Sequence, residues 1–136
     1  MTLTLDRSKT LADVKKEFSD AYPFLKLEFF SKSHDAYKTS PAKFILHDES
    51  IVLDSIVNDD FQHGSLNIDK TITVKHFETM AEEKFGLHIQ VLRKSGHAWL
   101  ATTVSDNLTL NEQNEGGMSS TIIHEADEKM DYREQD

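Results

Sequence analysis

Apolar residues change their spacing several times along this chain, and each change marks an element. Leu3 and Leu5 alternate with Thr2, Thr4 and Asp6, the period of a short strand with one buried face. Leu11, Val14, Phe18 and Tyr22 follow at spacings of three and four, which predicts a helix. Thr10 is placed to cap it, and Asp13 sits near the positive end of its dipole. Pro23 stops the helix, because its ring restricts the residue before it and removes an amide donor. Leu25, Leu27 and Phe29 then alternate with Lys26 and Glu28, so residues 2–31 read as β-α-β.

The same order returns later. Ser65-Leu-Asn-Ile-Asp69 alternates, Thr73 caps, and Val74, Phe77, Ala81 and Phe85 form a second helical stripe. An offset of 63 brings Leu3 onto Leu66, Thr10 onto Thr73 and Tyr22 onto Phe85; past the helix corner an offset of 62 brings Leu25 onto Leu87, Leu27 onto Ile89 and Lys32-Ser33 onto Lys94-Ser95. Any two β-α-β units share an apolar period, so the matched caps, corners and Lys-Ser pair carry the case for duplication. Gly86 takes the corner role of Pro23, since glycine can adopt the left-handed conformation that closes a helix.

Beyond the second unit, Ala98-Trp-Leu-Ala-Thr-Thr-Val104 is rich in strand formers and predicts a hairpin with residues 87–93. Thr109-Leu-Asn-Glu112 has capping-box spacing, and Gly116-Gly117 supplies a stop, which predicts a helix of about one and a half turns. Met118 to His124 reads as a last strand or edge segment. Between the units, residues 34–64 contain the Pro41 break, the apolar clusters Phe44-Ile-Leu46 and Ile51–Val57, and an Asn58-Asp59-Asp60 turn. They predict a strand and a short helix or second strand.

The fold expected is α+β: duplicated β-α-β units forming a ferredoxin-like two-layer sandwich, with an insertion between the halves and a C-terminal extension. A β-grasp-like arrangement of residues 44–104 is the alternative, and it requires contact between residues 44–46 and 98–104. One domain is expected over residues 1–124, followed by an acidic tail at 125–136.

Charge and composition narrow the chemistry. The 136 residues include 24 acidic and 15 basic side chains, a net charge of −9, which argues against nucleic-acid binding. The last twelve residues hold six acids and two bases, net −4, the pattern of a solvated terminal run. With no Cys there is neither a disulfide framework nor a thiolate metal site, and no apolar run approaches a membrane span, so a cytoplasmic location is expected. Seven histidines invite a metal reading, but no two of them share a helix face at the spacing of a His-Glu-x-x-His pair, and no metal or cofactor is expected. Five glycines, only two of them adjacent, give no phosphate-binding loop, and no nucleophile elbow is present.

The densest set of recognition groups is Arg93, Lys94, His97 and Trp99, which joins two permanent cations, a titratable ring and the sole Trp. Arg and Trp are over-represented in binding hot spots. These four residues are the expected binding site, for an unidentified protein or a small anionic or aromatic ligand. By parity Arg93 continues the apolar side of its strand, where its stem can snorkel. The polar side, with His88 and Gln90, could pair with a second copy in a homodimer. The function expected is a non-catalytic binding or regulatory module. The alternative is a small hydrolase or isomerase using His and carboxylates, for which a cleft joining His88 or His97 to an acid is the required geometry.

The run Phe85-Gly-Leu-His-Ile-Gln-Val-Leu-Arg-Lys-Ser-Gly96, with Trp99-Leu-Ala-Thr-Thr103 and Leu110-Asn-Glu-Gln-Asn114, resembles a family of small bacterial α+β proteins that has no assigned activity. The resemblance covers residues 65–116 and implies a discrete bacterial domain, with no site residues to carry over.

Overall fold

Each predicted cap forms. In the computed structural model, which describes residues 1–31, 44–61 and 63–134 with side chains through Ile123, Thr10 Oγ1 accepts the Asp13 amide at 3.2 Å. The Asp13 carboxylate returns the bond to the Thr10 amide at 3.1 Å. Helix α1 (Leu11–Ala21) therefore starts on a full capping box after strand β1 (Thr2–Asp6), and strand β2 (Leu25–Phe30) follows it. In the second unit, strand β3 (His63–Asn67) leads to helix α2 (Val74–Phe85), capped by Thr73 and closed by Gly86 at φ +69°. Strand β4 (His88–Ser95), strand β5 (Ala98–Ala101) and helix α3 (Leu110–Glu134) complete the chain.

The result is an α+β protein with, among the described residues, three α-helices and two antiparallel sheets, compatible with a two-layer sandwich. A ferredoxin-like order would join the four unit strands in one sheet. Here like pairs with like: β1 with β3, and β2 with β4, whose other side carries β5. The pairing is symmetric about the offsets of 63 and 62. Leu3 lies opposite Leu66, its own counterpart, while Leu27 faces Val91 and Phe29 faces Ile89, each opposite the counterpart of the other.

The correspondence extends to segments in which the apolar pattern shows nothing. The first amides of a helix have no partner within it. In α1 the amides of Leu11 and Ala12 donate to the carbonyls of Ile51 and Glu49; in α2 those of Val74 and Lys75 donate to Leu108 and Asp106. Leu53 and Asp54 then donate to Lys9 and Arg7, as Leu110 and Asn111 donate to Ile72 and Lys70. Residues 49–54 thus do for the first unit what residues 106–111 do for the second.

Between the units, residues 53–55 form one turn of 3₁₀ helix, Ile45 bridges Phe30 on the outer edge of β2, and residues 59–60 turn as expected. The contact that a β-grasp-like arrangement needs is not made among the described residues, because β2 and β4 stand between residues 44–46 and β5. Pro41 and His34 lie outside the described residues.

The core fills the space between helices and strands. Val14 and Phe18 of α1 and Phe77 and Ala81 of α2 are all buried, and the Phe18 and Phe77 rings stack at 5.4 Å. Leu3, Leu5, Leu25, Leu27, Phe29, Leu66, Ile89 and Val91 supply the sheet side. Tyr22 bolts the first unit to the second: its buried hydroxyl donates to the Ile68 carbonyl at 2.5 Å, and burial, with a smaller effect from Asp69, pushes its pKa up.

Two expectations for the C-terminal region are corrected. Thr109 and Glu112 do form a capping box, each amide bonded to the other's side chain at 3.0 Å. Gly116-Gly117 does not stop the helix, which continues to Glu134, so Met118 to His124 is helical and not a strand. The glycines permit close approach instead. A Cβ on Gly117 would lie 3.0 Å from Phe24 Cβ, from Phe24 O and from Arg93 Cγ, whereas one on Gly116 would meet the Arg93 Nη1 at 3.0 Å.

The two positions should therefore respond differently to alanine. Gly117→Ala presses on backbone and is expected to cost about 1–3 kcal/mol, more than the roughly 1 kcal/mol that alanine gains in helix propensity. Gly116→Ala meets only the movable end of a side chain and should be neutral or stabilising. Urea unfolding midpoints of the two variants check this, and stabilisation by both would reject the packing account.

Candidate functional site

The four residues singled out above lie on or beside the β4–β5 hairpin. Gly96, at φ +62°, occupies the first position of its two-residue turn, a conformation that costs glycine little. Lys94 pairs across the strands with Trp99, and Arg93 with Leu100, so strand alternation sends Arg93 to one face of the hairpin and Lys94 with Trp99 to the other. His97 is in the turn itself.

Arg93 is committed to packing. Its stem runs beneath Gly116 and Gly117 of α3, and Nη1 approaches the Gln113 Oε1 at 3.4 Å. Gln113, fully buried, is held in turn by its amide group, which donates to the Ser105 carbonyl at 2.8 Å and the Ser105 hydroxyl at 2.9 Å. The side chain snorkels under the helix, as parity predicts.

The opposite face presents an aromatic ring with a cation over it. Lys26 Nζ lies 4.8 Å from the centroid of Trp99, which remains 36% exposed. A surface groove of about 430 Å³ opens beside this pair, lined by Lys15, Lys16, Ser19, Lys26, Glu49 and Trp99 among others. Its cations are tethered. Lys15 is shared between Glu28 at 3.6 Å and Glu49 at 3.1 Å, Lys26 lies 3.7 Å from Glu28, and Lys16 holds Asp20 at 2.7 Å. Lys26 escapes a reading of the sequence because it reaches the hairpin only through the β2–β4 pairing, which no local pattern encodes.

No match was found when the chain was compared with protein-family models, curated proteins and solved structures. Function therefore has to be argued from the side chains.

A second site lies at the other end of β4. A cavity of about 230 Å³ is lined by Phe30, Leu46, Ile56, Ser31, Ser55 and His88, with the Gly86–Leu87 corner as its floor. The buried Nδ1 of His88 has no hydrogen-bond partner among the described residues and stands 3.8 Å from the Glu82 carboxylate. This is the juxtaposition of a histidine, an acid and a cleft that the hydrolase or isomerase alternative requires. Gln90, whose side the sequence offers for a homodimer, is buried within the chain and donates to Thr103 Oγ1 at 2.9 Å. Among the described residues no three His, Asp or Glu side chains group to hold a metal, and no helix is long and apolar enough to cross a membrane.

Proposed function

We propose that this protein is a non-catalytic cytoplasmic binding module, and that Trp99 with Lys94, His97 and Lys26 forms its recognition face. The observation that carries this reading is the indole left exposed beneath the Lys26 ammonium at 4.8 Å, beside a groove edged with lysines. An exposed ring that already stacks with a cation offers a flat apolar surface with positive charge at its rim. That combination suits an acidic protein segment carrying an aromatic residue, or a small anionic aromatic ligand. Arg93 acts here as a buttress, fixing the hairpin against α3 and so presenting its other face.

Trp99 is the sole Trp, so its fluorescence reports directly on this face. Titration with an acidic, tyrosine-containing peptide is expected to shift Trp99 emission saturably. Lys94→Glu combined with Lys26→Glu should weaken that response at least about tenfold without changing the far-UV circular dichroism, the loss expected of contacts near a hot spot. An unchanged titration in the doubly reversed variant would reject the reading.

The hydrolase or isomerase alternative rests on the His88–Glu82 approach at 3.8 Å beside the cavity. Turnover of a small ester that disappears in His88→Ala would favour it over the binding module. The duplication of the β-α-β unit is likewise proposed. The paired registers and the matched helix-capping carbonyls support it.

A further inference from the structure

The His88 cavity lies beside a small side chain at a position where the other half of the chain carries a large one. Under the correspondence that relates the two units, Ser31 occupies the position of Arg93 and Ile56 that of Gln113. In the second half the Arg93 side chain runs toward Gln113, which its guanidinium approaches at 3.4 Å, and packs under Gly116 and Gly117. In the first half about 230 Å³ stays open. The space is large enough for one ring with a substituent, since an apolar cavity of roughly 150 Å³ suffices for benzene.

The walls define the occupant. Phe30, Leu46 and Ile56 are apolar, while Ser31, Ser55 and His88 supply the polar groups, and among the described residues no lysine or arginine lines the cavity. Glu82, 3.8 Å from His88 Nδ1, adds negative charge beside it. An anionic ligand would meet a carboxylate with no cation among the described residues to offset it. A neutral imidazole carries one ring nitrogen that accepts a hydrogen bond.

We propose that this cavity is a binding site for a neutral single-ring ligand bearing one hydrogen-bond donor, a molecule of the phenol class. The ring contacts Phe30, Leu46 and Ile56, and the hydroxyl donates to His88. This site is independent of the hairpin face, so failure of either proposal leaves the other standing.

The test uses the full chain and three probes of one size: phenol, toluene and benzoate. In two-dimensional amide NMR, phenol is expected to shift the Ser31, Ser55, Gly86 and His88 signals saturably. Toluene should bind about two- to tenfold more weakly, the effect of one net hydrogen bond, and benzoate should leave these signals in place. His88→Phe should abolish the preference of phenol over toluene, and Ile56→Phe, which fills the space, should abolish both responses. The comparison of probes on the unmodified chain stands even if a variant does not fold. Non-saturable shifts with phenol, equal binding of phenol and toluene, or preferential binding of benzoate would overturn the proposal.

Discussion

Phe77→Ala is expected to lower stability by about 3–5 kcal/mol, a large share of the roughly 5–15 kcal/mol that holds a domain together. Phe77 is 1% exposed and stacks on Phe18 at 5.4 Å, and Phe18 in turn leans on Tyr22 at 5.6 Å. The ring therefore joins the helix of one unit to the helix of the other. Size alternates across that contact: Val14 stands where the second unit has Phe77, and Phe18 stands where it has Ala81. Removing Phe77 would leave small side chains at equivalent positions on both helices and take away the ring on which Phe18 stacks. Phe77→Leu, which retains most of the volume, should cost less than half as much. Urea unfolding followed by far-UV circular dichroism measures both, and a loss below about 1 kcal/mol for the alanine variant would show that the helix contact is not central to the core.

Glu78→Ala is expected to cost about 1–3 kcal/mol, the penalty for stranding a buried donor. β5 runs only as far as Ala101, so Val91 on β4 has no strand partner on that side. Side chains take over. The buried Glu78 carboxylate accepts the Val91 amide at 2.8 Å, and the Thr102 hydroxyl donates to the Val91 carbonyl at 2.8 Å. An α2 carboxylate therefore finishes the edge that a longer β5 would have covered. Glu78→Gln retains an acceptor and should lose clearly less than the alanine variant. The sharper readout is hydrogen exchange at the Val91 amide, which should lose protection in Glu78→Ala and largely keep it in Glu78→Gln. Equal losses with unaltered Val91 exchange would mean that the carboxylate matters only through its volume.

The parts of the fold legible in the sequence were those fixed by local chemistry. The stripes Leu11-Val14-Phe18 and Val74-Phe77-Ala81-Phe85, the Thr10 and Thr73 caps and the Gly86 corner follow from helical period, hydrogen-bond geometry and backbone freedom. Strand pairing does not, since the choice between like-with-like and ferredoxin-like orders is made by contacts some sixty residues apart. Gly116-Gly117 misleads for a related reason: local propensity says stop, while Phe24 and Arg93 demand close approach, and packing prevails. At the hairpin the sequence locates the right turn, and parity already separates Arg93 from Lys94. It gives no sign of Lys26, which arrives from another strand. The His88 cavity leaves no trace in composition at all, because its walls come from segments far apart in the chain.

The like-with-like pairing also bears on how the chain reaches this state. Apart from β4 with β5, every paired strand belongs to one half and its partner to the other. Neither half can finish a sheet alone, and a loop of about sixty residues must close before β1 finds β3 or β2 finds β4. Such non-local topology slows folding and couples the halves, so the two units should gain and lose structure together in one transition. Separated between β2 and β3, each half would carry the unsatisfied strand edge that the other completes.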